Sequence, residues 1–285
     1  MVSAVDAAMT EWKQSFAVFG FTVLRNTFSQ AEMDAFTHAA EALLNVDRAG
    51  LVFSGEDRQQ VYGFVERSSI LQRLLVDDRI YLTVQALLGE GVVWLGSDGN
   101  LYVGSTGWHC DGSNMTYRRI KVIFYLDTLT SDNGALRVIP GSHKEPLHSE
   151  LLPLLGRSDE RVTPFGVRAP KRERVNDSGF AVRPEEVPAV SLATSPGDVV
   201  MIDQNLWHSS FGGGSGRRMF SLSFGEGPST PEQLELIRAI YCGQLDHVQH
   251  RQLTPQPVLY GDRFLQSEDP RVVGMLDPQR RLGLR

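Results

Sequence analysis

Positions 122–144 read VIFYLDTLTSDNGALRVIPGSHK, and this stretch decides the class of fold. Two apolar runs, at 121–127 and 135–139, have the length and the β-branched and aromatic content of short strands. DNG at 132–134 stands between them and PGS at 140–142 follows them, and both are typical turn sequences. The pattern therefore predicts two neighbouring strands joined by a turn.

Short strands separated by turns continue on both sides of this stretch. The further predicted strands are Val92–Leu95, Asn100–Val103, Asp198–Asp203 and Met219–Phe224. Long helical crossovers between parallel strands are not visible, which argues against a doubly wound sheet. We therefore expect a mainly β protein with flanking helices, in which antiparallel sheets form a jelly roll.

The N-terminal third is predicted to be mostly helical, with a short strand at 21–24. Ser29 followed by Glu32 is a capping-box pattern that opens a helix, and another helix is predicted from Ile80 to Leu88. No repeat or linker divides the chain, so we expect a single domain over 1–285.

Within this domain we expect N-terminal helices at 1–90 and a β-helix core at 91–226. Residues 143–190 interrupt the strand pattern with charge, proline and little periodicity. Loops of this length are commonly functional, so we predict that this segment forms a substrate lid.

Composition and charge exclude several classes of protein. The net charge of −6 disfavours a sequence-independent nucleic-acid binder, and two cysteines cannot build a disulfide framework or a thiolate zinc site. The start of the chain lacks the pattern of a signal peptide, and no stretch has the roughly 18 consecutive apolar residues that span a bilayer. We expect a cytoplasmic enzyme with a small-molecule substrate and with neither nucleic acid nor membrane as a partner.

Two separate segments supply a candidate metal site. WHCDG at 108–112 follows a predicted strand, and an extended backbone would point His109 and Asp111 to one face. Much later, His208 follows another apolar strand. Two histidines and one carboxylate are the ligand set of a facial triad, which leaves coordination positions open on Fe(II). A His-x-Asp tripeptide alone is weak support, since most such histidines are ordinary hydrogen-bonded side chains.

Two arginines on the next strand make the signal more specific. Arg217 lies nine residues after His208, and a guanidinium can bind the distal carboxylate of an oxo-acid cosubstrate through a bidentate fork. Strand alternation puts Arg217 on a face with Ser221, and Arg218 on a face with Phe220. We expect the small polar face to line the pocket, which favours Arg217 and keeps Arg218 as the alternative.

Taken together, these segments resemble the core of the phytanoyl-CoA dioxygenase family. The resemblance rests on WHCDG, on positions 122–144, on PGDVVMIDQNLWHSS at 196–210, on RRMFSLSF at 217–224 and on FGFTVLRNTFSQAEMDAF at 19–36. It covers most of the chain in the same order. It implies a double-stranded β-helix, a cupin-like jelly roll, and the activity of a non-haem Fe(II)- and 2-oxoglutarate-dependent oxygenase.

The resemblance also implies roles for individual residues. His109, Asp111 and His208 would be the iron ligands and the catalytic centre, and Arg217 would pair with the C5 carboxylate of 2-oxoglutarate. With O2, such an enzyme oxidises a substrate C–H and releases succinate and CO2. Related halogenases carry a small residue at the position of Asp111, so its presence favours hydroxylation or another oxidation over halogenation.

Four further residues are candidates for contact with the cosubstrate. Lys121 occupies a position where relatives often carry a cosubstrate-contacting threonine, although it could equally be a solvated strand lysine. Asn100 and Tyr102 share one face of the strand that enters the site, and Ser221 lies on the same face as Arg217. Ordinary strand roles are open for these three as well.

Two other classes of function stay open. One is a non-oxidative metal enzyme on a cupin-like barrel, such as an isomerase using Zn(II) or Mn(II), but it would not need Arg217. The other is a catalytically silent relative, which would not need an intact triad. No segment resembles a site for the phosphates of coenzyme A, so we favour a free metabolite over an acyl-CoA as substrate.

Overall fold

Residues 4–112, 114–155 and 183–284 are described by the computed structural model, and their strands form two antiparallel sheets. The strands are β1 (Phe21–Leu24), β2 (Gln59–Tyr62), β3 (Val93–Tyr102), β4 (Thr106–His109), β5 (Arg119–Tyr125), β6 (Leu136–Val138), β7 (Val190–Leu192), β8 (Val199–Asp203), β9 (His208–Ser210) and β10 (Arg217–Gly225). The larger sheet has the order β1-β8-β5-β10-β3-β2, and the smaller has the order β4-β9-β6-β7.

Strand alternation divides the larger sheet into an inner and an outer face. On β5, Ile123 and Tyr125 point inward and share an apolar cluster with Leu136 and Val138 of the smaller sheet. The two sheets therefore pack face to face, as in a jelly roll. Phe124 points the other way, into a cluster with the helices. The predicted fold class is confirmed.

Helices cover the outer face of the larger sheet. The α-helices of the described residues are α1 (Ala4–Phe19), α2 (Gln30–Asp47), α3 (Asp78–Leu88), α4 (Leu147–Glu150), α5 (Pro231–His250), α6 (Asp262–Leu265), α7 (Pro270–Met275) and α8 (Asp277–Arg281). Of these, α4 lies beside the smaller sheet instead, where Leu147 packs against the cluster that contains Trp108 and Trp207. The predicted capping box is present at the start of α2, where Ser29 and Glu32 bond reciprocally. Across the part of the chain that is described, no helix is both long and apolar enough to cross a membrane.

The N-terminal segment contributes more than helices. β1 pairs with β8 and β2 pairs with β3, so strands from the first 90 residues form both edges of the larger sheet. The expected boundary between residues 90 and 91 therefore does not separate helices from sheet. β1 was predicted from its apolar sequence, whereas β2 was not, because QQVY carries only a short and half-polar signal.

β3 is one continuous strand where the sequence predicted two. The predicted break contained Gly96 and Gly99, and both glycines make room for close neighbours. A Cβ atom at Gly99 would collide with the ring of Phe64, and one at Gly96 would collide with the side chain of Gln244. Glycine in a strand can serve close approach as well as a turn, and here it serves close approach.

The described ends of the predicted lid pack against the smaller sheet. Leu151 and Leu154 on one side, and Val187 on the other, join a cluster with Trp108 and Trp207. These apolar side chains make the described flanks part of the core. The centre of the segment, 156–182, lies outside the described residues, and so does the basic run at 171–174.

A buried carboxyl group behind the larger sheet gives the fold a predictable pH dependence. Glu66 accepts hydrogen bonds from Trp94 Nε1 (2.9 Å) and from the hydroxyl of Ser97. Burial raises the pKa of Glu66 to about 7. Between pH 4.5 and 7 the folded protein keeps this proton while the unfolded chain loses it, so the free energy of unfolding falls as the pH rises.

We expect this fall to reach at most about 3 kcal/mol for Glu66, and Glu66→Gln to remove it. Glutamine keeps the shape and the polar contacts of the protonated acid but does not titrate. Urea unfolding of the wild type and of Glu66→Gln at pH 5 and pH 8 gives the free energy of unfolding of each. The change between the two pH values should be larger in the wild type than in the variant. An equal pH dependence in both would contradict the assignment.

Candidate metal centre

A cavity lies between the two sheets, and it contains the predicted metal ligands. His109 ends β4, Asp111 follows in the adjoining loop, and His208 begins β9. His109 and His208 are direct partners in the antiparallel pairing of β4 and β9. Because side chains of directly opposed residues project from the same face, this register alone brings the two imidazoles together.

The three side chains are close enough to share one ion. One ligand atom from each of His109, Asp111 and His208 lies within 4.8 Å of the others. His109 Nε2 is 3.7 Å from Asp111 Oδ1, and His208 Nε2 is 3.9 Å from Asp111 Oδ2. The ring centres of the two histidines are 4.2 Å apart. The structure therefore brings together the three predicted ligands.

Each histidine is oriented by its own backbone. His109 Nδ1 is 2.8 Å from the carbonyl of Gly107, and His208 Nδ1 is 2.8 Å from the carbonyl of Leu206. A carbonyl only accepts, so each Nδ1 carries the proton and each Nε2 keeps a lone pair for a metal. Burial lowers the pKa of His109 to about 3 and also lowers that of His208. Both rings are therefore neutral at ordinary pH.

Asp111 is held in its charged form by a neighbouring ammonium group. Lys121 Nζ donates to Asp111 Oδ2 over 3.0 Å. Burial alone would raise the pKa of Asp111, but the charge of Lys121 and its hydrogen bond to the carboxylate outweigh burial and keep the pKa below its usual range. Burial would likewise lower the pKa of Lys121, but Asp111 and Asp98 raise it above its ordinary value. The Lys121 side chain therefore points into the cavity and is not a solvated strand lysine, which was the alternative.

The donor set fits a divalent first-row metal ion. Two neutral imidazole nitrogens and one carboxylate converge, each with an orienting partner, and they come from one side of the cavity. Cys110 lies between two of these residues, but its thiol donates to the carbonyl of Gly112. It therefore does not belong to the donor set.

Arg217 lines the same cavity, and backbone segments closely surround its guanidinium. Its Nη1 donates to the carbonyl of Gly134 (2.7 Å) and its Nη2 to that of Gly104 (2.6 Å). Side chains at Gly134 and Gly213 would collide with the guanidinium, so these two glycines leave the space in which it lies. Gly213 belongs to the glycine-rich turn at 212–216, and this turn therefore fits closely around Arg217.

Arg218 borders the cavity, but its guanidinium is occupied elsewhere. It donates to Asp127 and to Glu41, each over 2.5 Å at the shortest contact. Its neighbour on the same face, Phe220, is buried among the helices. The alternation argument thus places the arginines correctly: Arg217 shares the inner face, and Arg218 lies on the outer face.

The remaining predicted pocket residues divide into two groups. Tyr102 lines the cavity, and its ring lies 5.4 Å from the guanidinium carbon of Arg217. Asn100 and Ser221 are fully buried and lie beneath the cavity wall. Ser221 donates to Asp98, and Asn100 bonds the same carboxylate through Nδ2 at 2.6 Å. This differs from the expectation that they contact a cosubstrate, because their polar atoms already serve neighbouring side chains.

Among the cavity residues that the sequence analysis missed, three lie together at one edge of the larger sheet. Arg58, Gln60 and Tyr62 line the cavity from β2 and the residue before it. Gln60 pairs with Asn100 of β3, which fixes this row of side chains on the inner face. Their spacing of two along the chain was the available signal. It was overlooked because they precede the metal-binding motif by about fifty positions and no strand was predicted there.

Comparison with known proteins agrees with this geometry. Residues 16–219 match the family described as phytanoyl-CoA dioxygenase (PhyH). An ectoine dioxygenase of Sphingopyxis alaskensis is 26% identical over 211 residues, which are 68% of this chain and 67% of that protein. The dioxygenase sphC of Aspergillus fumigatus is 26% identical over 171 residues, 50% of this chain. The chain spans 46% of the length of the Aspergillus protein.

A solved structure extends the match beyond sequence. The crystal structure of EctD from S. alaskensis with bound Fe superposes with a TM-score of 0.53 and 25% identity. The superposition covers 79% of this chain and 77% of that one. This relative, which has the same fold, therefore contains bound iron.

Proposed function

Because the chain belongs to the phytanoyl-CoA dioxygenase family, we propose that it is a non-haem Fe(II)- and 2-oxoglutarate-dependent oxygenase. It would hydroxylate, or otherwise oxidise, an unactivated C–H of a small-molecule metabolite and release succinate and CO2. The reaction would take place in a single domain that includes both edge strands from the N-terminal segment. The names of its relatives, which include an ectoine dioxygenase, support a small-molecule substrate.

Each residue of the cavity then has a definite task. His109, Asp111 and His208 would hold Fe(II), and when bound, the metal and 2-oxoglutarate supply the oxidising power. Arg217 would bind the C5 carboxylate of the cosubstrate. Lys121 fixes the orientation of Asp111, and Tyr102 forms the wall beside Arg217. Burial of the ligands limits access of water to the reacting groups.

One observation carries this proposal: the triad and the Arg217 guanidinium share one cavity. A non-oxidative metal enzyme would use the triad but has no need for a carboxylate clamp. A silent relative would need neither feature. The combination therefore favours the oxygenase over both alternatives.

The test is anaerobic reconstitution of the purified protein. Addition of Fe(II) and 2-oxoglutarate is expected to give a weak visible charge-transfer band, and admission of O2 is expected to release succinate. The same metal-free preparation, given 2-oxoglutarate without Fe(II) or Fe(II) without 2-oxoglutarate, serves as the blank. Folded protein that binds Fe(II) but shows neither the band nor succinate would exclude the proposal.

The close approach of Gly213 to the Arg217 guanidinium gives a prediction with a matched control. Gly213→Ala should push the guanidinium away, because an added Cβ would collide with it, and we expect the KM for 2-oxoglutarate to rise about tenfold. Gly214→Ala adds its Cβ to open space and should leave the KM unchanged. Steady-state succinate formation measures both. Equal KM values for the two variants would contradict the role given to Gly213.

A further inference from the structure

A second guanidinium lines the cavity and is not used by the chemistry described so far. Arg58 donates through Nε (2.9 Å) and Nη2 (2.6 Å) to the same oxygen, Oδ1 of Asn100. Its guanidinium carbon lies 4.1 Å from the centre of the Tyr102 ring. Arg58 is half-buried and borders the cavity that holds the metal ligands. A neutral amide and an aromatic face thus hold this cation in place.

The contact with Asn100 leaves one edge of Arg58 available. A guanidinium has a side edge formed by Nε and Nη2 and an end edge formed by Nη1 and Nη2. Asn100 occupies the side edge, and within the described ranges no carboxylate lies within 4 Å of Arg58. Arg218 differs, since Asp127 and Glu41 already bind it. The end edge of Arg58 can therefore accept a planar anion in bidentate fashion.

The orientation of Arg58 is built into the sheet beneath it. Asn100 is fully buried, and its Nδ2 donates to Asp98 Oδ2 over 2.6 Å. This bond fixes the amide so that Oδ1 faces Arg58, and Asp98 is itself bonded by Ser221 and Gln60. Asn100 is thus a positioning residue for Arg58. A cation held this firmly at a cavity wall is a built site.

The charges around the cavity also call for an anion. Arg58, Lys121, Arg217 and the carboxylate of Asp111 line the cavity, and the carboxylate of Asp98 is buried behind them in contact with Asn100. Arg218 is left out of this count because Asp127 and Glu41 already pair with it. A divalent metal and a doubly charged cosubstrate would cancel each other and leave this excess of one positive charge. An excess charge in a partly desolvated cavity is unfavourable unless it is paired. One further negative group would balance it.

We propose that the substrate carries a carboxylate and that the end edge of Arg58 binds it. The identity of this ligand as the substrate rests on the proposed function. The carboxylate would lie across Tyr102 from Arg217, so that Arg58 selects an anionic metabolite while Arg217 retains the cosubstrate. Neutral analogues, such as primary amides or esters, would bind weakly because they cannot pair with the charge of Arg58.

Ligand-observed NMR on the full chain, loaded with Zn(II) and saturating 2-oxoglutarate, tests the proposal without turnover. The probes are small acids, each paired with its primary amide (propionate and propionamide, benzoate and benzamide). We expect the acids to bind better than their amides to the wild type. Arg58→Gln should weaken acid binding at least tenfold and Arg58→Lys should weaken it less. Arg73→Gln, at an exposed arginine outside the cavity, should match the wild type.

The same titration separates this proposal from the proposed function. Acid binding that does not depend on Arg58, or an equal affinity for acids and amides, overturns the carboxylate site. Loss of 2-oxoglutarate binding in Arg58→Gln also overturns it, since Arg58 would then serve the cosubstrate. If the wild type fails to bind 2-oxoglutarate but binds acids through Arg58, the carboxylate site stands and the oxygenase assignment fails.

Discussion

Replacement of Asp111 by alanine is expected to lower succinate formation at least about a thousandfold, equivalent to roughly 4 kcal/mol of transition-state stabilisation. The variant loses the one carboxylate of the donor set and leaves two neutral imidazoles, which bind Fe(II) weakly. It also leaves the buried ammonium of Lys121 without its 3.0 Å partner, and a cation beside the site repels the metal. The measurements are succinate release and the anaerobic visible band.

A matched control separates loss of the metal from loss of the fold. Asp132→Ala removes an exposed carboxylate from the turn after β5 and should keep both the band and the activity. Circular dichroism should show the same strand content for both variants. If Asp111→Ala kept the band at wild-type Fe(II) concentrations, the carboxylate would not be a metal ligand.

Replacement of Arg217 by glutamine is expected to raise the KM for 2-oxoglutarate about 30- to 100-fold. A bidentate, charge-assisted pair contributes roughly 2–3 kcal/mol, and glutamine can supply only one uncharged donor. The change in kcat should be much smaller, because the distal carboxylate is bound equally in the ground state and the transition state. Arg217→Lys keeps the charge without the fork and should fall between the two.

Arg218→Gln is the natural comparison, since it removes the neighbouring guanidinium from the other face of β10. It breaks the contacts with Asp127 and Glu41 at the protein surface, and the KM for 2-oxoglutarate should stay within twofold of wild type. The opposite result, a large increase for Arg218→Gln and none for Arg217→Gln, would assign the cosubstrate clamp to Arg218.

The sequence was most informative where one periodic pattern controls both local structure and burial. Alternation along 217–224 separated Arg217 from Arg218, because one face of β10 must contact apolar helices and the other the cavity. The convergence of the three proposed metal ligands was predictable from local sequence as well. His109 and Asp111 belong to one local motif, and His208 follows β8, whose apolar sequence is easily recognised.

Long-range contacts were beyond the reach of sequence patterns. Nothing local indicates that Arg58 meets Asn100, since their contact depends on the register of an edge strand with little apolar sequence. Asn100 was predicted on the correct face, but whether its amide bonds a cosubstrate or a neighbouring arginine is decided by side chains elsewhere in the chain. The continuity of β3 through its glycines was not predictable, because the residues that need their space, such as Phe64, are distant in sequence.

Because His109 pairs with His208, a metal bound between them would also stabilise the folded state. These two side chains belong to adjacent strands that are far apart along the chain, so a bound ion would cross-link two strands of the smaller sheet. The metal site exists only in the folded state. At a free metal concentration of 100 times Kd, metal binding therefore adds about 2.7 kcal/mol to the free energy of unfolding. A slip of one residue between β4 and β9 would turn one of the two rings out of the site, so metal binding also depends on the correct register of these strands. Iron supply should therefore govern how long each molecule survives proteolysis, as well as how fast it works.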